Sequence, residues 1–354
     1  MEMRAPREFC ERFGLGLPVL LAPMAGACPP SLSIAVANAG GMGGCGALLF
    51  DSEEMKNWAE EFRSGSSGPF QMNLWIPDPP PIRDAVHEAE IRGFLQQWGP
   101  PVPAGAGDVV LQDFHAQCKA LLEIQPTAIS SIMGLYPAEF VRQAKARQIA
   151  WFATATTLAE AKAAEAAGAD GIIAQGMEAG GHRGAFDIAK AERELVGLVA
   201  LIPAVVDAVK VPVIAAGGIA DGRGVAAAIA LGASAAMIGT GFLRCPEAKL
   251  HPAWAKALSE ATPERTMVSR AFSGRPGRTI ATDYARAAAE QSAPAPAPYP
   301  VQRGLTTPMR SHAQQMSDVQ RMQAWAGQSA ALARAEPAGE LMKRIWNEAH
   351  ALLR

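Results

Sequence analysis

Ala167-Gly-Ala-Asp-Gly-Ile-Ile-Ala-Gln-Gly176 reads as a helix end stopped by glycine and followed by a short strand with almost no polar face. The same form returns 64 residues later as Leu231-Gly-Ala-Ser-Ala-Ala-Met-Ile-Gly-Thr240. Glycine ends a helix where the backbone must turn left-handed, and a strand apolar on both sides suits a sheet covered on two faces. That offset holds two strand–helix units, so the two runs fit the sixth and eighth strands of one barrel, although open α/β sheets carry similar echoes.

Outward from this pair, apolar runs alternate with Ala-rich segments of helical period from residue 18 to about 243. The candidate strands are 18–25, 41–47, 69–76, 128–134, 149–155, 171–175, 211–216 and 235–239. Eight strands, most followed by a helical segment, predict an α/β fold of the (β/α)8 TIM barrel type. After the eighth strand the pattern changes. Residues 246–302 carry no clear strand alternation, while 254–259 and 283–290 look helical, which predicts a small, mainly helical second domain. The barrel then comprises 1–245 plus 303–354. Two further helices are expected near 317–335 and at 339–353. In the latter, Leu341, Met342, Ile345, Trp346, Ala349, Leu352 and Leu353 share one face. Pro-rich stretches at 77–81, 100–107 and 292–300 read as loops or extended connectors.

A chain of 354 residues, 49% apolar and 19% charged with net charge −2, can bury a large core and carries neither a disordered nor a nucleic-acid-binding signature. Its partners are expected to be small molecules, with no nucleic acid and no membrane; the oligomeric state is left open. No apolar run reaches membrane-spanning length and the N-terminus lacks a signal-peptide core, so a cytoplasmic location is expected. Five scattered cysteines without C-x-x-C spacing argue against a disulfide frame and against zinc; no metal site is predicted.

In a (β/α)8 barrel the working groups sit at the carboxyl ends of the strands. There the chain places Ala22-Pro-Met-Ala25, Gly43-Gly-Cys-Gly46, Asn73, Gln175, Gly217-Gly218 and Met237-Ile-Gly-Thr240. Glycines after the last two strands can offer backbone N–H groups to a phosphate, which implies a phosphorylated cofactor. Flavin mononucleotide suits the polar amides of Asn73 and Gln175; another cofactor or a sugar phosphate would suit the glycines equally well. Gln175-Gly-Met-Glu-Ala-Gly-Gly-His-Arg-Gly184 adds paired glycines, Gly180 and Gly181, that admit close backbone approach. It also brings His182, the side chain best matched to proton transfer near neutrality. Arg275 and Arg278 are candidates for an anion or for ordering their own loop, and Tyr299 and Arg303 for the substrate entrance.

The order of Ala22-Pro-Met-Ala25, the 175–184 loop, Ala215-Ala-Gly-Gly-Ile219, Ile238-Gly-Thr240 and Ser273-Gly-Arg-Pro276 resembles the nitronate monooxygenase family, once called 2-nitropropane dioxygenases. The similarity runs from Leu17 to the Trp325-Ala-Gly-Gln-Ser329 segment and is closest to the class I pattern. It implies an FMN-containing barrel whose second domain covers the flavin face. By that resemblance Ala22, Pro23, Met24, Asn73, Gln175, Gly180, Gly181, Gly217, Gly218, Met237, Ile238, Gly239 and Thr240 would contact FMN. His182 would be the active-site histidine, as base or as anion holder. The implied reaction is oxidation of alkyl nitronates by O2 to a carbonyl compound and nitrite, with propionate 3-nitronate and neutral nitroalkanes as further candidate substrates. Two other readings stay open: an NAD(P)H-dependent flavin reductase acting on a quinone or enoyl thioester, and a non-catalytic flavin- or phosphate-ligand-binding protein.

Overall fold

In the computed structural model, which describes residues 3–354, eight parallel strands follow one another around a single sheet. They are β1 (Val19–Leu21), β2 (Gly43–Gly46), β3 (Phe70–Trp75), β4 (Ala128–Ile132), β5 (Ala150–Ala155), β6 (Gly171–Gln175), β7 (Val213–Ala216) and β8 (Ala235–Ile238). Each strand pairs with the next, β8 pairs with β1, and a parallel bridge between Leu20 and Met42 closes the ring. The fold is a TIM barrel, and all eight strands lie within the runs read from the sequence.

The two-residue period of a strand sorts the barrel side chains into two cores. Leu20, Phe152, Ile173, Ile214, Ala235 and Met237 pack inside the barrel together with Phe9 and Phe13. Those two rings come from helix Arg4–Phe13, which plugs the N-terminal mouth; Phe13 meets Phe152 edge-on at 5.1 Å. Val19, Leu21, Ala215, Ala236 and Ile238 face outward to the helical layer, where helix Ala338–Leu353 buries Leu341, Met342, Ile345 and Ala349. Leu352, expected on that face, is instead 61% exposed.

Two further sequence expectations change. Residues 317–335 do not form an α-helix; they hold only the short 3-10 turns Val319–Arg321 and Ala330–Leu332. The intervening chain is held extended by other partners: Trp325 bridges Thr279, and Gly327 N donates to Thr240 Oγ1 at 3.0 Å. The segment 246–302 contains its helices, Pro252–Glu260 and Asp283–Ala287, but also strands Thr266–Ser269 and Gly277–Ile280. These pair antiparallel, and Gly277 and Arg278 then pair with His182 and Gly181. The strand pair escaped the hydrophobic pattern because its second strand is buried on both faces and carries a polar residue on each, Arg278 and Thr279. The layer above the barrel also draws on the Pro-rich region: Ile91, Leu95 and Val102 pack with Phe272, Tyr284, Val301 and Leu305.

Candidate active site

A cavity of about 420 Å³ lies at the carboxyl ends of the strands, roofed by Trp254, Arg303, Arg310 and Trp325. Of the residues singled out in the sequence it gathers Ala22, Pro23, Met24, Asn73, Gln175, Gly180, Gly181, His182, Gly217, Gly218, Met237, Gly239, Thr240 and Arg303. Ile238 and Tyr299 do not line it. The Ile238 side chain faces the outer helices, as strand alternation requires. Tyr299 sits behind Trp75, ring centroids 5.4 Å apart, and borders a separate cavity near Asp78 and Arg83. Arg275 and Arg278 lie outside the lining as well: Arg275 is buried beside Asp78 at 3.4 Å, and Arg278 donates to Met177 O and Thr266 Oγ1.

One end of the cavity is backbone. The amides of Gly217, Gly218, Gly239 and Thr240 have no acceptor among the described residues, and all four residues line the space. Clustered N–H groups of this kind form an anion site that needs no basic side chain. Ser329, from the roof, donates through Oγ to Gly218 O, tying the upper layer to this end.

The barrel wall supplies the amides. Asn73 Nδ2 donates to Ser130 Oγ at 3.1 Å, leaving its carbonyl oxygen free. Gln175 is more engaged than its sequence position implied. Its Nε2 donates to His182 O at 3.1 Å and its Oε1 accepts from Gly184 N at 2.8 Å, so it braces the loop that carries the histidine. One N–H and one lone pair remain for a ligand. These donors and acceptors, with the free amides at the far end, fit a planar heterocycle bearing a phosphate.

The other end holds His182. Its ring is clamped edge-on between Trp75 and Trp325, each at 4.7 Å, and its Nε2 lies 2.7 Å from Ser273 Oγ. Burial, then the charges of Arg275 and Arg303, push the imidazole down to about 3, so it is neutral at physiological pH. Arg310 is occupied by Thr306, Thr307, Gln323 and the Arg303 carbonyl. The Arg303 guanidinium makes no such bonds among the described residues, and no aspartate or glutamate among them lines the cavity. The site is therefore a cationic pocket with a neutral imidazole.

Sequence reasoning assigned no role to Trp75, Trp325, Ser130 or Ser273. Trp75 had a detectable signal, since it follows Asn73 by two residues on the inward face of β3. The others become neighbours only through folding.

The comparisons agree with this architecture. Residues 9–348 match the family model described as nitronate monooxygenase. The nitronate monooxygenase of Paraburkholderia phytofirmans is 36% identical over 347 residues, covering 97% of this chain and 94% of that protein. Among solved structures, a nitroalkane oxidase from Streptomyces ansochromogenes superposes with a TM-score of 0.88 at 33% identity, covering 97% of this chain and 98% of that one. FabK from Thermotoga maritima is more distant, with a TM-score of 0.75 at 27% identity and coverage of 97% and 96%. A barrel with this cavity, matched along almost its whole length, places the chain in the nitronate monooxygenase family of oxidoreductases.

Proposed function

We propose that this chain binds FMN in the barrel cavity and oxidises alkyl nitronates with O2 to a carbonyl compound and nitrite. The observation that carries the reading is the polarity of the cavity. Free backbone amides suit a phosphate at one end, and Arg303 beside His182, with no carboxylate among the described lining residues, suits a small organic anion at the other.

The bound flavin would supply the redox chemistry, accepting electrons from the nitronate and passing them to oxygen. The Gly217, Gly218, Gly239 and Thr240 amides would hold the phosphate; Ala22, Pro23 and Met24, the backbone of Ile238, Asn73, Gln175, Gly180, Gly181 and Met237 would surround the rest. Arg303 would draw in the substrate anion and set its orientation, since a guanidinium matches the two oxygens of a nitronate group. His182 would face that group from the opposite side, and Trp75, Trp254 and Trp325 would exclude water, strengthening each polar contact. Residues 246–302 would act as a covering domain over a barrel of 1–245 plus 303–354. Tyr299, behind Trp75, would reach substrate only through that ring.

Anaerobic mixing of the flavin-loaded protein with ethyl nitronate, and separately with NADH, tests this reading by flavin absorbance. Rapid loss of the oxidised spectrum with the nitronate and not with NADH is expected. Rapid bleaching by NADH alone would make the protein a flavin reductase, and tight flavin binding with neither reaction would make it a binding protein.

A further inference from the structure

The bonding of Ser273 bears on which of the two histidine nitrogens carries the proton. Ser273 is 1% exposed and has a single hydroxyl hydrogen. Its Oγ has three neighbours: His182 Nε2 at 2.7 Å, Arg275 O at 3.2 Å and the Arg275 backbone N–H at 3.3 Å. The N–H can only donate to Oγ. The hydroxyl hydrogen must choose between Nε2 and the carbonyl, and the distances favour Nε2, since 2.7 Å is typical of a hydroxyl donor and short for a ring N–H. Nε2 then accepts, and the proton of the neutral ring sits on Nδ1. Nδ1 has no partner among the described residues and keeps solvent access, on a ring that lines the cavity.

We propose that Ser273 fixes His182 in the Nδ1–H form, making the ring a neutral hydrogen-bond donor toward the substrate with no lone pair free to take a proton from it. The consequence, which rests on the nitronate reading above, is selectivity for protonation state: the chain consumes nitronates already ionised and does not itself ionise neutral nitroalkanes. The surroundings support a neutral ring. Arg275, in the turn between strands Thr266–Ser269 and Gly277–Ile280, and Arg303, in helix Val301–Leu305, both oppose a second proton, and Asp78, the carboxylate beside Arg275, is paired with it. A neutral imidazole used as an electrophile is an established strategy where proton abstraction falls to another group or is unnecessary. Ser273 is here a positioning residue, acting through His182.

The test is long-range 1H–15N NMR of the flavin-loaded protein labelled with 15N-histidine, the His182 signals being assigned by their loss in His182→Gln. The expected result is a protonated Nδ1 and an unprotonated Nε2 at neutral pH. A proton on Nε2, or on both nitrogens, overturns the proposal. In parallel, turnover is measured with ethyl nitronate and with nitroethane. Wild type should use the nitronate, and comparable use of nitroethane would overturn the proposed selectivity. Ser273→Ala should raise the ratio of kcat/KM for nitroethane over ethyl nitronate by about tenfold, the size of one lost hydrogen bond; a purely structural serine would lower both equally. Failure to turn over ethyl nitronate with the Nδ1–H form present would instead refute the nitronate reading and leave the tautomer standing.

Discussion

Gly180 and Gly181 are adjacent, yet the structure requires glycine at each for a different reason, and substituting them separately tests both. An alanine Cβ at 180 would stand 2.7 Å from Ala326 C, 2.9 Å from Thr240 Oγ1 and closer still to Gly327 N, where ordinary contact begins near 3.4 Å. Two of the three obstacles are backbone and cannot rotate away. The loop or the 326–327 segment must move, breaking the bond from Gly327 N to Thr240 Oγ1. Overpacking of this kind costs about 1–3 kcal/mol and the lost hydrogen bond about 1 kcal/mol, so Gly180→Ala should destabilise by about 2–4 kcal/mol. At 181 an added Cβ meets nothing within 4 Å, but φ is +76°. Only the left-handed penalty of about 1–2 kcal/mol applies there. Denaturant unfolding of both variants, with flavin absorbance per mole of protein, gives the comparison. Gly180→Ala should be the less stable and should retain less flavin. If it were no more destabilised than Gly181→Ala, the close approach of the 326–327 backbone would be wrong.

Other residues give equally direct checks. Because His182 is neutral down to about pH 3 in the folded chain and titrates near 6.5 when unfolded, the unfolded state holds the extra proton between those values. Stability therefore falls with decreasing pH across that window, by at most about 1.4 kcal/mol per unit from this group. His182→Gln should flatten the dependence of Tm on pH between about 6.5 and 4.5, and an unchanged slope would contradict the buried neutral ring. Arg303→Gln should raise KM for ethyl nitronate by about 10- to 100-fold, the range of one charge-assisted contact, with a smaller change in kcat; steady-state oxygen uptake reads both. Asp78→Asn would leave Arg275, 2% exposed, without its counter-charge, and should cost about 3–5 kcal/mol in urea unfolding, where a cost below 1 would show that the pair is dispensable. Ile345→Ala, in the helix packed on the barrel, should cost about 2–5 kcal/mol, while Leu352→Ala at an exposed position should stay within about 0.5 kcal/mol.

The barrel was legible in the sequence because its strands are buried on both faces and therefore stand out as short apolar runs ended by glycine. The reactive loop was legible for a related reason: paired glycines and His182 are contiguous in the chain, so their chemistry needs no folding to be noticed. The strands Thr266–Ser269 and Gly277–Ile280 lacked such a mark. Arg278 reads as a surface residue, and only the Met177 carbonyl and Thr266 hydroxyl explain its burial. Residues 317–335 were misread as helix, whereas Thr279 and Thr240, distant in sequence, hold Trp325 and Gly327 extended. Ser273 was visible as part of a motif, but its partner is 91 residues away, and nothing in the motif itself indicates a bond to histidine.

The pairing of Gly181–His182 with Gly277–Arg278 makes the histidine a member of two bodies at once. Its covalent chain leaves the barrel at Gln175, while its backbone ladder belongs to the hairpin above. Any excursion of that hairpin would carry the imidazole with it, together with the Ser273 hydroxyl beside it, and would leave behind the Gly217, Gly218, Gly239 and Thr240 amides that follow β7 and β8. An opened molecule would thus keep its free backbone amides in place while withdrawing its histidine from the cavity. Opening the site and disarming it would then be a single movement.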